Sequence, residues 1–491
     1  MGMLKTGRLC ALVPGCVLAL IFQVFPENAP AQAASESGAK TIEALFVSDI
    51  HFEPFLDPGK AAQLAAAPVG EWDTILAAPA SADAAAQWTK LGQACPTRGA
   101  DTSYALYHSS LHAIHAQASG AKFVIVSGDL IAHNFSCKFA AVFPKAAAAD
   151  YRAFVEKTIA YVLADLRSAL PGVPVYAALG NNDSDCGDYQ LDANSAFLKE
   201  SGQVFASDLQ GAEQAQALET FAAGGYYSVS LPAPVENARL LVLDDLFMSE
   251  RYETCGGKED HAPAAAQIAW LTHKLDEARD KKEKIWVMAH IPPGVDSYST
   301  AKKWMDLCSG GKPKFFLASE EFPEVLARYG DVIQLAIFAH THMDEVRLLM
   351  PAKGAVEQKP VGVKMVASIS PVDGNNPSFT LATVDPARAI LMDYRVIAAS
   401  NQTGIDTAWS EEYDFAKTYH EPAFTAVPLS RLIAGFKTDP TAQSSASQSY
   451  LRYYMTGVDM RGLALIWQPY VCSLKNGSND AYRECVCSSV R

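Results

Sequence analysis

The chain has 491 residues, 49% of them hydrophobic and 19% charged, with a mean hydropathy of +0.02. That is the make-up of a globular protein long enough for one large domain or two. The formal charge of −14 and a pI near 5.3 exclude general affinity for nucleic acid or anionic membranes. They leave an anionic substrate open, because a metal ion reverses the local field.

In chain order, the first 33 residues read as a secretory leader. Lys5 and Arg8 form its basic part, residues 9–25 its apolar part, and Ala31-Gln32-Ala33 its cleavage site. The chain is therefore expected to be exported, to a periplasmic or extracellular location. No integral membrane segment is expected after the leader is removed. Eight of the ten cysteines follow the leader, an even number that fits disulfide staples, with on the order of a hundred pairings open.

Five apolar runs then end in residues able to hold metal. IEALFVSDIH (42–51) ends in Asp49 and His51, AKFVIVSGD (121–129) in Asp129, and VPVYAALGNN (173–182) in Asn181 and Asn182. KIWVMAH (284–290) ends in His290, and VIQLAIFAHTH (332–342) in His340 and His342. Each run is short, rich in β-branched or aromatic residues and not alternating, as expected of a strand buried on both faces. Helical patterns separate several of them, over 150–172, where Pro171-Gly172 ends the stripe, and over 262–280. Alternating strand and helix predicts an α/β fold with much parallel pairing, whose ligands bind beyond the carboxyl ends of the strands. Side chains two apart in a strand share a face, so Asp49 with His51, and His340 with His342, are expected to converge.

Other stretches read more plainly. LGNND (179–183) would by itself be a surface turn. The segment 103–117 is expected to form a helix whose core face is Tyr104, Tyr107, Leu111 and Ile114, with His108, His112 and His115 flanking it rather than binding metal. PTAQSSASQ (440–448) reads as a flexible polar connector. The expected organisation is a leader (1–33), a catalytic domain (40–399) and a helical, disulfide-stapled C-terminal region (400–491).

The ordered blocks Asp49-Ile50-His51, Gly128-Asp129, Gly180-Asn181-Asn182-Asp183, His290 and His340-Thr341-His342 resemble those of the calcineurin-like metallophosphoesterases. GDLIAHN (128–134), AHIPPG (289–294) and AHTHMDE (339–345) are similar to the acid-sphingomyelinase-like phosphodiesterase branch, with endopolyphosphatases nearby. The resemblance implies a four-layer α/β/β/α sandwich with a helical C-terminal subdomain, acting as a metal-dependent phosphoric diester hydrolase. It implies one divalent ion held by Asp49, His51, Asp129 and His342, and a second by Asp129, Asn181, His290 and His340. Four imidazoles favour zinc, with iron or manganese as alternatives. Ala132 stands where purple acid phosphatases place a tyrosine ligand. Asn182 replaces the histidine of most relatives and cannot donate a proton, so the general-acid role passes to His133. Asp344 and Glu345 are expected to orient His340 or His342.

The expected partner is a small phosphoester, with no nucleic-acid-binding module and a monomeric chain. A phosphomonoesterase or polyphosphatase on the same scaffold, and a catalytically weak phosphate-binding protein, remain open.

Overall fold

The computed structural model describes residues 40–301, 304–351, 358–458 and 461–489, so the expected leader lies outside the described residues. In chain order the strands are β1 (Ile42–Val47), β2 (Ala121–Val126), β3 (Val175–Ala177), β4 (Tyr227–Ser230), β5 (Ala238–Val242) and β6 (Lys284–Met288). They continue with β7 (Ile333–Phe338), β8 (Glu345–Leu349), β9 (Val361–Met365), β10 (Ser378–Asp385), β11 (Ile390–Ala399) and β12 (Trp409–Asp414). Two six-stranded sheets result, ordered β12-β11-β10-β1-β2-β3 and β4-β5-β6-β7-β9-β8.

β1, β2 and β3 are parallel, as are β5, β6, β7 and β9, and antiparallel strands complete each sheet. The parallel strands carry the unbroken apolar runs because both their faces are covered. On the inner faces the fully buried Trp286 of β6 meets Phe46 of β1 and Phe123 of β2 edge-on, at 6.1 and 5.7 Å. Its indole N–H donates to Ala389 O at 2.7 Å, so the largest ring between the sheets leaves no polar atom unmet. Truncating such a ring costs about 3–5 kcal/mol.

Helices cover the outer faces. Tyr104–Gln117, capped by Ser103, and Ala148–Ala169 pack beside one another, with Tyr107 donating its hydroxyl to Val162 O at 2.6 Å. On the second sheet Ala262–Lys281 buries Ile268, Leu271 and Leu275, and Glu321–Arg328 sets Phe322 against Phe338 of β7. The α/β sandwich expected from the sequence is present.

Three local readings change. All five ligand-bearing strands end earlier than their apolar runs, at Val47, Val126, Ala177, Met288 and Phe338, because the chain turns into irregular backbone just beyond them. Residues after 399 first add β12 to the edge of the first sheet, and helices begin only at Phe415. The polar stretch 440–448 is partly helical, since Ser444 caps Ser445–Tyr453 by accepting from Ser447 N at 3.2 Å. Among the described residues four disulfides form, Cys95–Cys137, Cys186–Cys255, Cys308–Cys487 and Cys472–Cys485. The last two staple the C-terminal helices.

Candidate metal centre

The seven residues singled out as metal ligands come together at the carboxyl ends of β1, β2, β3, β6 and β7. Strand alternation is not what brings them there. Asp49, His51, Asp129, His340 and His342 all have positive φ, from 45° to 71°, and lie outside the strands. A left-handed backbone is uncommon outside glycine, although Asp and His adopt it more readily than most, and it costs about 1–3 kcal/mol at each, so the surrounding structure must hold it.

It does so through backbone pairing of adjacent loops. Asp49 N donates to Gly128 O, and His51 N to Asp129 O, both at 3.0 Å. Asp183, the last residue of LGNND, clamps this arrangement. Its carboxylate accepts from Leu130 N (2.8 Å), Ile131 N (3.1 Å) and Gly180 N (2.9 Å). Asp245 likewise accepts from the backbone of His290 and Ile291, at 3.2 and 3.0 Å. Burial pushes both carboxyls up, to about 7. Gly128 and Gly180 are glycines because the loops touch. A Cβ on Gly128 would sit 2.8 Å from His290 Nδ1, and one on Gly180 2.1 Å from Asp129 Oδ1.

The side chains fall into two groups sharing Asp129. In one, His342 Nε2 lies 3.1 Å from His51 Nε2 and 3.4 Å from Asp49 Oδ1, while His51 Nε2 lies 3.5 Å from Asp129 Oδ2. In the other, His290 Nε2 lies 3.1 Å from Asp129 Oδ2, 3.1 Å from Asn181 Oδ1 and 3.3 Å from His340 Nδ1. Burial would raise Asp129, but His290 and His51 beside it hold its carboxyl well below the ordinary range.

These residues fit divalent cations. Asp49 is fully buried, and neither of its oxygens accepts a hydrogen bond. Burial pushes its carboxyl up despite His342 and His290. A buried carboxylate in that position is strongly destabilising unless a cation meets it. Second contacts aim the ligand atoms inward. His51 and His290 donate their Nδ1–H to Ile131 O (3.0 Å) and Ser127 O (2.8 Å), which frees each Nε2. Asn181 donates its amide to Asp188 Oδ1 at 2.7 Å, so its oxygen faces His290. His342 Nδ1 lies 2.9 Å from Asp373, and His340 Nε2 lies 3.2 Å from the Tyr189 hydroxyl.

Asp344 and Glu345 do not orient His340 or His342. Asp344 pairs with Lys364 and accepts from Tyr413, while Glu345 accepts from Thr341 (2.7 Å) and Tyr470 (2.9 Å). Asp344 lies just before β8 and Glu345 opens it, and through these contacts they tie the C-terminal segments to the sheet. The orienting groups that sequence reasoning missed are Asp373, Asp188 and Tyr189. Each lies in a loop without periodicity, so no local pattern marks it. His108, His112 and His115 are exposed on their helix, outside any metal-ligating group among the described residues.

His133 stands at the edge of the centre. Its ring stacks on that of His51, with centroids 3.9 Å apart, and its side chain is 31% exposed. Burial opposes its charged form, but Asp101, 2.8 Å from Nδ1, outweighs that and raises it above the usual histidine value. Asn182 faces inward. Its backbone N–H and side-chain amide both donate to Asp129, at 2.9 Å each.

Residues 43–344 match the family described as calcineurin-like phosphoesterase. The chain belongs to the calcineurin-like phosphoesterase family. Among curated relatives of this phosphoesterase, acid sphingomyelinase-like phosphodiesterase 3b of Mus musculus is 26% identical, over 71% of this chain and 75% of its own. The cyclic GMP-AMP phosphodiesterase SMPDL3A of Bos taurus is 24% identical, over 78% and 80%. Sphingomyelinase phosphodiesterase C of Dictyostelium discoideum is 22% identical, over 79% and 82%. The protein is thus a metal-dependent phosphoesterase of an acid-sphingomyelinase-like kind. None of its described helices is long and apolar enough to cross a membrane.

Proposed function

We propose that this phosphoesterase hydrolyses phosphodiesters at a pair of divalent ions. Asp49, His51, Asp129 and His342 would hold one ion, and Asp129, Asn181, His290 and His340 the other. The observation that carries the reading is the position of Asp129 Oδ2, 3.5 Å from His51 Nε2 and 3.1 Å from His290 Nε2, with one acceptor facing both groups. The histidine-rich donor set favours zinc over oxygen-seeking magnesium or calcium. When bound, such ions supply Lewis acidity toward the phosphoryl oxygens and a water acidic enough to attack at neutral pH.

The chain's own residues do the rest. Asn182, engaged with Asp129 through backbone and side chain, fixes the shared carboxylate and transfers no proton. His133 is the general acid for the leaving oxygen, since its ring sits at the edge of the centre and is partly open to solvent. Four disulfides and the leader-like N-terminus support action in an oxidising compartment outside the cytoplasm.

A second reading, phosphomonoester or phosphoanhydride hydrolysis, draws support from two exposed arginines. Arg251 stacks on Tyr189 at 3.9 Å, beside His340, and Arg98 lies 3.4 Å from Asp373, beside His342. Both are placed to meet charge beyond a single diester.

Bis-p-nitrophenyl phosphate assayed against the mono-ester, with and without chelator, separates the readings. Diester turnover abolished by chelator and restored by zinc is expected. Mono-ester preference would move the assignment to the second reading, and no turnover at full metal loading would make the protein a phosphate binder. His133→Ala should lose most turnover of a diester with a poor leaving group, by about 10²- to 10⁴-fold, while keeping both metals.

A further inference from the structure

Behind His133 lies a buried ion cluster that metal binding does not use. Phe52 bridges to Thr102 on one side and Ile131 on the other, forming a small three-stranded arrangement beyond the ends of β1 and β2. Glu53 N donates to Thr102 O (3.0 Å), and Thr102 N to His51 O (3.1 Å). This pairing sets Asp101 beside His133 although 32 positions separate them. Both oxygens of Asp101 are committed. Oδ2 accepts from His133 N at 2.9 Å, and Oδ1 accepts from His133 Nδ1–H at 2.8 Å. Lys138 Nζ lies 3.4 Å from Oδ2 and also pairs with Glu53.

Asp101, Lys138 and Glu53 are 7%, 2% and 2% exposed. The Cys95–Cys137 disulfide, next to Lys138, and the bond from Asn134 Nδ2 to Pro96 O (2.7 Å) tie the two loops together.

Buried ion pairs are poor stabilisers compared with an apolar trio of similar size, so stability alone is a weak account of this cluster. Its geometry has a direction. Glu53 holds Lys138, Lys138 holds one oxygen of Asp101, and the other oxygen holds one nitrogen of the partly exposed histidine. A carboxylate on Nδ1–H fixes the imidazole tautomer and leaves Nε2 as the nitrogen that exchanges a proton, the logic of an Asp-His pair in acyl transfer.

We propose that Asp101 is a positioning residue for His133, holding the ring by Nδ1–H so that Nε2 is presented to the leaving oxygen, while Lys138 and Glu53 keep the carboxylate from rotating. This rests on the reading of His133 as general acid. Asp101→Asn keeps the shape, but its single oxygen cannot serve Lys138, His133 N and His133 Nδ1–H together.

The test compares two diesters on zinc-loaded enzyme: bis-p-nitrophenyl phosphate, whose leaving group needs little protonation, and diphenyl phosphate, whose leaving group needs it. Asp101→Asn should lower kcat for diphenyl phosphate by about 10²-fold or more, with KM and metal content unchanged. Its loss on the nitrophenyl diester should be much smaller. If Asp101→Asn folds poorly, Asp101→Glu is used. It keeps the charge and moves the carboxylate one carbon, and a leaving-group-dependent loss is expected there too.

Equal losses on both substrates would overturn the proposal. If His133→Ala itself shows no leaving-group dependence, the acid assignment falls and takes this inference with it. If His133→Ala shows the dependence and the Asp101 variants do not, only this inference falls.

Discussion

Gly180→Ala tests the centre through a single methyl group. The added Cβ would lie 2.1 Å from Asp129 Oδ1, 2.4 Å from Asp129 N and 2.7 Å from Asp129 Cγ. Ordinary contacts of a methyl carbon are about 3.5 Å, so the overlap exceeds about 1 Å. Turning the carboxylate cannot relieve it, because the backbone nitrogen is as crowded as the oxygen, and the Asp129 loop has to move. Gly180 does not have a positive φ, so alanine adds no backbone strain there and the whole effect is this collision. Overpacking of this kind costs about 1–3 kcal/mol of stability. A displacement near 1 Å at a reacting centre costs roughly 10²-fold in rate. Because Asp129 faces both groups, both ions should bind more weakly. The assay is metal content by elemental analysis together with kcat on bis-p-nitrophenyl phosphate in excess zinc. Gly172→Ala serves as control, since its φ of +79° makes alanine strained but nothing lies within 4 Å of its Cβ. Gly180→Ala with wild-type metal content and turnover would refute the placement of Asp129 as the shared ligand.

Four further outcomes are expected. Asp373→Asn removes the carboxylate charge beside His342 Nδ1 and should weaken one of two zinc-binding steps about 10- to 100-fold in calorimetric titration, the other step being kept; equal weakening of both would contradict the two-group arrangement. Asp344→Asn leaves Lys364 buried without its carboxylate and should cost about 3–5 kcal/mol in denaturant unfolding, with zinc affinity unchanged. Opening the Cys95–Cys137 bridge, which spans 42 residues, with a double serine variant should cost about 4 kcal/mol in the chain-entropy account, read as a lower unfolding midpoint. Burial first, and Glu200 next to it, raise the Glu156 carboxyl to about 7. Its folded value then lies above the unfolded value of 4.5, so the folded state loses stability as pH climbs from the lower value toward the upper one. Glu156→Gln should therefore unfold at higher temperature than wild type at about pH 8 and at the same temperature near pH 4. An offset equal at both would show that ionisation is not the cause.

Much of the centre was legible because its ligands follow runs that a parallel sheet requires. A strand buried on both faces is written as an unbroken apolar run, and the residue where the run stops is where the sheet delivers its side chains. Asp49, Asp129, Asn181, His290 and His340 could be named on that ground. The geometry of delivery could not. Period-two alternation predicted convergence for Asp49 with His51, yet the pair converges through left-handed backbone held by the neighbouring loops. The C-terminal edge was misread for a related reason. β12 alternates weakly, with SEE in its middle, and only its ladder with β11 makes it a strand.

LGNND shows the division most clearly. Its residue types mark a turn and, within the ordered blocks, a ligand, and those follow from the side-chain chemistry of Asn and Asp alone. What each residue does follows from partners far away in the chain. Asn181 faces His290 because Asp188 takes its amide, Asn182 turns inward onto Asp129, and Asp183 holds the loop after β2. The sequence by itself determined the α/β alternation of strand and helix, the candidate ligands at the strand ends and the even count of cysteines, since these are carried by local pattern and composition. Tertiary structure alone decided the pairing of those cysteines, the partners that aim each ligand, and the Asp101 contact of His133. Such contacts join segments tens to hundreds of residues apart, and hydrogen bonds between irregular loops leave no periodic trace in either segment.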